Sequence, residues 1–316
     1  MNYSIILNQH AGNGNANKAW AAIKPFLDAQ GISYHLETTK YYNHAEYLGT
    51  KLGSDDHHEP IIVLVIGGDG TLHQVINGIM KGAKKAHRTP LPVGYIPTGT
   101  GNDFARGFGI SMKPLKALQQ VLTASEAKEI HIGHYQEAIH DEEGYFLNNI
   151  GIGFDAAIVS RANSYKATKK RNHMGHLTYL FKSLGVIYDQ EPFSLMVNSN
   201  QTRSIFGKAY IVIVSNHPFI GGGFKIAPHA SLHQPTLDLV VAERKNWLMT
   251  FWQLLQFARG KLDSSRYAHL FKGQQLKIST TSLEFCQTDG EEMGNRFVDF
   301  SFDTTTFPIW QVPETK

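Results

Sequence analysis

Through the first 125 residues, continuous apolar runs alternate with segments of helical periodicity. Tyr3–Asn8 has the pattern of a buried strand. In Ala16–Gln30, Ala19, Ile23, Phe26 and Leu27 recur at helical spacing, and Gly31 supplies a stop. Ile32–Thr38 alternates as a second strand and Ala45–Leu52 suits a short helix. Pro60–Ile66 is unbroken apolar, as in a central parallel strand covered on both faces. Thr71–Met80 returns to helix, Val93–Ile96 to strand and Leu115–Leu122 to helix. This alternation predicts an α/β domain over residues 1–125.

Beyond Lys128 strands dominate: Glu129–Gly133, Tyr145–Ile150, Phe193–Val197, Ile205–Ser215, Leu237–Ala242, Gln275–Thr280, Leu283–Gln287 and Phe297–Phe302. Helical patterns at Gly175–Tyr188 and Trp247–Arg259 interrupt them. A run of strands after an α/β block predicts a second, β-rich domain over residues 126–303, with the segment 304–316 returning to the first domain.

Composition narrows the class. Of 316 residues, 42% are hydrophobic and 18% charged, which suits a folded chain rather than a disordered one. A net charge of +3 carries no polyanion signal, so nucleic acid is not an expected partner. The single cysteine, Cys286, excludes an intramolecular disulfide and fits a reducing compartment. Met1–Asn8 lacks the basic start and cleavage pattern of a signal peptide and is expected to be the first strand. No stretch approaches the ~20 apolar residues of a membrane helix, so any lipid contact is expected to be peripheral.

Three loops after predicted strands could carry chemistry. Gly67-Gly68-Asp69-Gly70-Thr71 joins a buried strand to a helix. Its glycines admit close backbone approach, and N–H groups at a helix start favour phosphate. A carboxylate there, Asp69, suggests a cation, a water or a hydroxyl partner; the same pattern also suits a tight turn capped by Asp. Pro97-Thr98-Gly99-Thr100-Gly101-Asn102-Asp103-Phe104-Ala105-Arg106 repeats the logic after Val93–Ile96. Asn8 and the loop through Gly12 and Gly14 resemble a phosphate loop, but Asn17-Lys18-Ala19 is not the Lys-Ser/Thr of a Walker motif.

Later motifs are more ambiguous. Gly151-Ile152-Gly153-Phe154-Asp155-Ala156 fits a dinucleotide pattern but lacks the acidic residue about 20 positions on, and is read as a close-packed turn. Asp289-Gly290-Glu291 is a favoured hairpin turn as much as a site. Gly221-Gly222-Gly223 is a flexible connection. Lys166, Lys169, Lys170 and Arg171 could dock on anionic lipid or be an exposed charged loop. Lys81, Lys84, Lys85 and Arg88 follow a helix, where cations complement its dipole.

In their order along the chain, these residues resemble the diacylglycerol kinase catalytic family, in particular the soluble bacterial lipid kinases. The match includes Asn8 with Gly12, Gly67–Thr71, and Gly99-Thr100 with Asn102-Asp103-Phe104-Ala105-Arg106. It continues through Asn149 with Gly151, Gly153, Asp155 and Ala156, then Asn216 with Gly221–Gly223, Pro228 and Ala230, to Asp289-Gly290-Glu291. The resemblance implies an α/β N-terminal nucleotide-binding domain and a β-sandwich-like C-terminal domain, with the active site in the cleft between them. It implies ATP at Asn8, Gly12, Thr39, Gly67, Gly68, Asp69, Gly70, Thr71, Gly99, Thr100 and Asn102. Asp69 and Asp103 are then expected to organise Mg2+ with its waters, and Asp289, with Glu291, to serve as general base for a lipid hydroxyl. A cytoplasmic protein touching the inner membrane face transiently follows, and exposed sheet edges allow a homodimer.

One departure stands out. The family often carries Asp-Gly after the Pro/Ala segment, where the Asp binds an accessory Mg2+. Here Gln234-Pro235 occupies that place, and an amide is a poorer ligand than a carboxylate, although Asp238 could shift into the role. Two other readings compete. NAD kinases share Gly-Gly-Asp-Gly, and a non-catalytic lipid or nucleotide sensor could keep the same fold.

Overall fold

The computed structural model describes residues 2–154, 156–157, 191–200, 202–260 and 266–314. The helix expected at Gly175–Tyr188, the cluster Lys166–Arg171 and Asp155 lie outside them. The chain forms two compact units, Met1–His131 with Thr306–Lys316, and Ile132–Thr305.

The first unit is a parallel sheet with helices. Strands β1 (Asn2–Leu7), β2 (Tyr34–Thr38), β3 (Ile61–Gly67) and β4 (Val93–Pro97) lie in the order β2-β1-β3-β4. In register, Tyr3 pairs with Tyr34 and Ile62, and Val63 with Val93. β3 is buried from Ile62 to Gly67, as expected of a strand covered on both faces. Helix α1 (Asn15–Ala29) buries Ala16, Ala19, Ile23 and Leu27, three of them in the stripe read from the sequence, while Phe26 of that stripe is half-buried. The returning C-terminal segment is held by Gln311. Its Oε1 accepts the Tyr95 N–H at 2.9 Å, and its Nε2 donates to the carbonyls of Tyr95 and Ala117.

Helices α2 (His44–Ser54) and α3 (Asp69–Ala86) touch backbone to backbone. A Cβ on Gly49 would stand 2.5 Å from the Val75 carbonyl oxygen, and one on Gly53 2.5 Å from that of Ile79. From the other side, a Cβ on Gly78 would stand 2.2 Å from the Glu46 carbonyl oxygen, and one on Gly82 2.3 Å from that of Thr50. The expected basic cluster is partly consumed here: Lys81 pairs with Glu46, and Arg88 with Asp56.

Two short helices complete this unit, α4 (Asp103–Phe108) and α5 (Pro114–Leu122). The segment after Asn102 reads from sequence as loop but is helical. Phe104 and Phe108 stack at 6.1 Å and are buried, so one turn of helix is enough to anchor them.

The chain passes between the units within β5 (Lys128–Glu137) and β17 (Asp299–Ile309). Between these lie β6 (Glu142–Phe146), β7 (Asn149–Gly153), β8 (Phe193–Ser199), β9 (Thr202–Ser215), β10 (Phe219–Ile220), β11 (Phe224–Lys225), β12 (Leu237–Glu243), β13 (Ala268–Gly273), β14 (Leu276–Thr280), β15 (Glu284–Thr288) and β16 (Glu291–Arg296). They pair antiparallel along β16-β15-β7-β9-β8-β14-β17, with β12 joining β9 to β13. The fourteen-residue β9 organises the unit. Its Val212 and Val214 enter one apolar cluster with Leu239 and Val241, while Tyr210 and Ile213 enter another with Val240 and Ala242. The C-terminal unit thus has the β-sandwich-like character expected.

Several details differ from the sequence reading. Tyr145–Ile150 is not one strand: the ladder breaks at Leu147 and Asn148 between β6 and β7. Gly151 and Gly153 are not a turn but lie inside β7, where a Cβ on Gly153 would strike Phe193 at 2.6 Å. β16 escapes notice because its side chains are polar and largely exposed, so no apolar alternation marks it. One further helix, α6 (Trp247–Ala258), follows β12.

Candidate functional site

In the first unit the three suspected loops meet at the carboxyl ends of β1, β3 and β4, where open α/β sheets bind ligands. The β1 loop turns through three left-handed residues, Gly12, Asn13 and Gly14. A Cβ on Gly12 would stand 1.8 Å from the Thr98 carbonyl oxygen, so glycine is required for the β1 loop to rest on the β4 loop. Gly68 and Gly99 face each other in the same way: a Cβ on Gly99 would lie 2.6 Å from the Gly68 Cα.

Side chains bind these loops together. Asn8 Nδ2 donates to Thr71 Oγ1 at 2.9 Å, linking the end of β1 to the first turn of α3. Asn102, left-handed at φ 55°, exchanges two 3.0 Å bonds with the backbone of Gly99. The Asp69 carboxylate accepts the backbone N–H groups of Asp103 at 3.1 Å and Phe104 at 3.4 Å, capping α4 from the neighbouring loop. Thr39 N–H bonds the Leu7 carbonyl, which sets the β2 loop beside β1. Thr100 is exposed in its loop, and Gly70 lies in the first turn of α3.

The fields of two carboxylates converge here. Tyr95, fully buried beneath the loops, has its hydroxyl held well above its ordinary pKa of 10, first by desolvation and then by the negative charges of Asp69 and Asp103. Among the described residues no group of three or more His, Cys, Asp or Glu could hold a metal alone. Two carboxylates near glycine loops suit a Mg2+ held mainly by phosphates and water, not an all-protein cage.

The second unit has its own polar centre. Asp289 and Gly290 form the two-residue turn between β15 and β16, both with positive φ, 48° and 86°, as a type I′ hairpin requires. The hairpin reading and the site reading therefore describe the same residues. The backbone makes the turn while the Asp289 carboxylate points inward, 8% exposed. Its Oδ2 accepts the Leu147 N–H at 2.7 Å, and its Oδ1 accepts those of Asn148 at 2.8 Å and Asn149 at 3.0 Å. These bonds satisfy the backbone where β6 gives way to β7, which explains the break in the ladder. Glu291 begins β16, half-buried.

Around this corner stand residues that sequence reasoning did not select. His217, with no exposed surface, shares a 2.5 Å hydrogen bond between its Nε2 and the Asn148 side-chain oxygen, and its Nδ1 accepts the Phe219 N–H at 3.1 Å. This places the proton on Nε2. Burial pushes its pKa down to about 4, partly countered by the charge of Asp289. Gln287 Nε2 donates to Asn149 Oδ1 at 2.7 Å, and its Oε1 accepts the Gly290 N–H. The only signal available in sequence was the density of short amides after apolar strands, as in Asn148-Asn149 and Asn216-His217. Gly221, Gly222 and Gly223, all with positive φ, close the β10–β11 hairpin.

The residues near Gln234 do not fit an accessory Mg2+. Gln234 Oε1 accepts a hydrogen bond from Lys272 Nζ at 2.8 Å, and the same ammonium reaches the His229 carbonyl at 3.5 Å. Asp238 is buried in β12 opposite Lys272. Desolvation raises its pKa, and the positive charges of Lys272 and His229 work against that rise. Thus Gln234, where the resemblance expects an Asp, is bound by a lysine ammonium.

Comparison with known proteins adds an independent line. The sequence profile described as diacylglycerol kinase catalytic domain matches residues 2–135, and that described as YegS C-terminal NAD kinase beta sandwich-like domain matches 148–307. A Bacillus subtilis protein named "Putative lipid kinase YtlR" is 29% identical over 92% of this chain and 93% of its own. One from Staphylococcus aureus, "Putative lipid kinase SAR0780", is 26% identical over 69% of this chain and 66% of its own. A crystal structure titled as a putative diacylglycerol kinase from Bacillus anthracis superposes with a TM-score of 0.73 at 21% identity, over 99% of this chain and 97% of that one. At that identity the likeness speaks for the fold.

Proposed function

Because the chain belongs to the diacylglycerol kinase catalytic-domain family, we propose that it transfers the γ-phosphoryl group of ATP to the hydroxyl of a membrane lipid. The observation that carries this reading is the three-loop cluster of the first unit. Gly12, Gly68 and Gly99 strip side chains from the sheet's carboxyl end, and the eighteen-residue α3 begins there, at the kind of helix start that favours phosphate. Such a surface receives phosphates through backbone N–H groups. Asn8, Gly12, Thr39, Gly67–Thr71, Gly99, Thr100 and Asn102 are the nucleotide-binding residues on this reading.

Phosphoryl transfer asks a protein chiefly for alignment and charge neutralisation. Asp69 and Asp103 are the residues to hold the Mg2+ that accompanies ATP, through water, and the ion when bound neutralises charge on the phosphoryl oxygens. Asp69 also keeps α4 in place, so one carboxylate serves both loop architecture and charge. In the second unit, Asp289 accepts the proton of the lipid hydroxyl, with Glu291 beside it in the hairpin. Three backbone N–H groups orient the Asp289 carboxylate, so its direction does not depend on a flexible side chain.

The test is ATP turnover with Mg2+ over a panel of detergent-dispersed diacylglycerol, sphingoid base, phosphatidylglycerol and a polyprenol, with NAD as a soluble acceptor. Phosphorylation of one lipid supports the reading and names the acceptor. Phosphorylation of NAD alone replaces it with the soluble-substrate reading. ATP binding with no acceptor turned over moves the chain to a sensor.

A further inference from the structure

Among its described side chains, helix α6 is arranged inside out. Its polar residues Thr250 and Gln253 are 0% and 1% exposed. Thr250 Oγ1 donates to the Asn246 carbonyl at 3.0 Å and Gln253 Nε2 to the Glu243 carbonyl at 3.1 Å. Four large apolar residues point the other way: Leu248 is 61% exposed, Phe251 46%, Trp252 56% and Met249 36%. At about 100° per residue, Leu248, Phe251 and Trp252 share one arc with Met249 at its edge. Single exposed apolar residues are ordinary, but four large ones together on one helix mark a contact surface.

Charge identifies what the surface meets. From Arg244 to Gly260 the sequence holds Arg244, Lys245 and Arg259 and no Asp or Glu. Lys245 and Arg259 are exposed at the two ends of the helix. Exposed Lys225 adds a third cation at the second end: a Cβ on Gly260 would lie 3.2 Å from the Lys225 Cβ. An aromatic and aliphatic stripe between terminal cations matches the interfacial region of an anionic bilayer, with rings among the upper acyl chains and cations at headgroup phosphates. A second copy of this chain is a poor occupant, because pairing two α6 faces would bring cations together with no acid in the segment to oppose them.

We propose that α6 docks the protein on anionic membrane surfaces through Leu248, Phe251 and Trp252, with Lys245, Arg259 and Lys225 at the headgroups. This deepens the lipid-acceptor reading and rests on it for the choice of a bilayer. No described helix is long and apolar enough to cross a membrane, so a kinase acting on a bilayer lipid needs a face of this kind.

Co-sedimentation of the full chain with vesicles of phosphatidylcholine alone, or of phosphatidylcholine with phosphatidylglycerol, tests it. The native protein is expected to partition onto the anionic vesicles in a salt-sensitive manner. The paired substitutions Phe251→Ser with Trp252→Ser, and separately Lys245→Glu with Arg259→Glu, are each expected to weaken that partition by roughly tenfold or more. Their melting temperatures and turnover of a dispersed short-chain lipid are expected to stay near native, since these four residues are exposed. Native partition in both variants overturns the proposal, as does a native protein that ignores both vesicle types. Loss of a native dimer in the serine variant, seen by light scattering, overturns it in favour of a second copy. Vesicle binding that follows the prediction while no lipid is phosphorylated leaves the docking face standing and removes the kinase reading. Lipid turnover without vesicle binding does the reverse.

Discussion

The carboxylate of Asp69 receives the backbone N–H of Asp103 at 3.1 Å, so the loop after β3 caps the helix that follows β4. This splits two roles that a single substitution usually confuses. Asp69→Asn keeps an oxygen for the cap but removes the charge, while Asp69→Ala removes both. The Ala variant should lose about 1 kcal/mol of stability, the usual scale for a lost cap, while the Asn variant loses less. If charge at Asp69 serves Mg2+-ATP, turnover falls steeply in both. Denaturant titration and turnover measured on the same samples separate the effects, and Asn turnover near native refutes the metal role.

Gly12→Ala should be more damaging than its size suggests. Its φ of 58° is strained for alanine, and the added carbon would stand 1.8 Å from the Thr98 carbonyl oxygen. The β1 loop must lift away from the β4 loop. Nucleotide affinity is expected to fall at least about tenfold, equivalent to roughly 1.4 kcal/mol, measured by calorimetry with an ATP analogue. Unchanged affinity would remove the β1 loop from the nucleotide site.

Asp289→Asn should abolish most turnover while leaving nucleotide affinity within a factor of about two, well under 1.4 kcal/mol. It should also destabilise the second unit, because an amide turns one NH2 toward backbone N–H donors at Leu147–Asn149. Leaving such donors unsatisfied costs about 1–3 kcal/mol. Turnover is therefore to be scored well below the shifted melting temperature. Near-native turnover there would refute the general-base assignment.

His217 gives stability a pH dependence of known sign. Burial holds its pKa near 4, below the 6.5 of an accessible histidine. The unfolded chain therefore binds the proton first as pH falls. Its contribution is complete above pH 6.5 and is lost progressively down to about pH 4, by roughly 3 kcal/mol in total. His217→Gln, which can still donate to Asn148, should flatten the unfolding free energy over that window relative to the native chain. Parallel profiles would place the titration elsewhere.

Lys272 should make the protein indifferent to Mg2+ when no nucleotide is present. Millimolar Mg2+ or a chelator is expected to leave the native melting temperature unchanged. The pair Gln234→Asp with Lys272→Ala should acquire a Mg2+-dependent rise. A chelator-sensitive native protein would show that a metal is held there after all.

Much of this was legible in the sequence, for identifiable reasons. β1, β3 and β4 are buried on both faces, so their apolar runs mark them without ambiguity. The glycines at 67, 68 and 99 are visible in the sequence because they cluster directly after buried strands. The features missed depend on distant partners. α4 is capped by a carboxylate 34 positions away, and its own six residues are too few to show periodicity. The gap between β6 and β7 is imposed by Asp289, more than 100 positions downstream, while Phe146-Leu147 reads as uninterrupted strand. His217 carries no local pattern; only the fold places it against Asn148. The outward face of α6 was equally hidden, since an apolar helix in sequence is ordinarily taken to face the core.

The glycine contact between α2 and α3 has a mechanical consequence. Where Gly49 and Gly53 meet the α3 backbone and Gly78 and Gly82 meet that of α2, no side chain stands between the helices to change rotamer and absorb a displacement. The two helices must translate as one plate. That plate carries at one end the Thr39 loop, which leads into α2, and the Gly67–Thr71 turn, which opens α3. A ligand that draws one of these toward itself draws the other by the same distance, so the two halves of the loop cluster open and close in step.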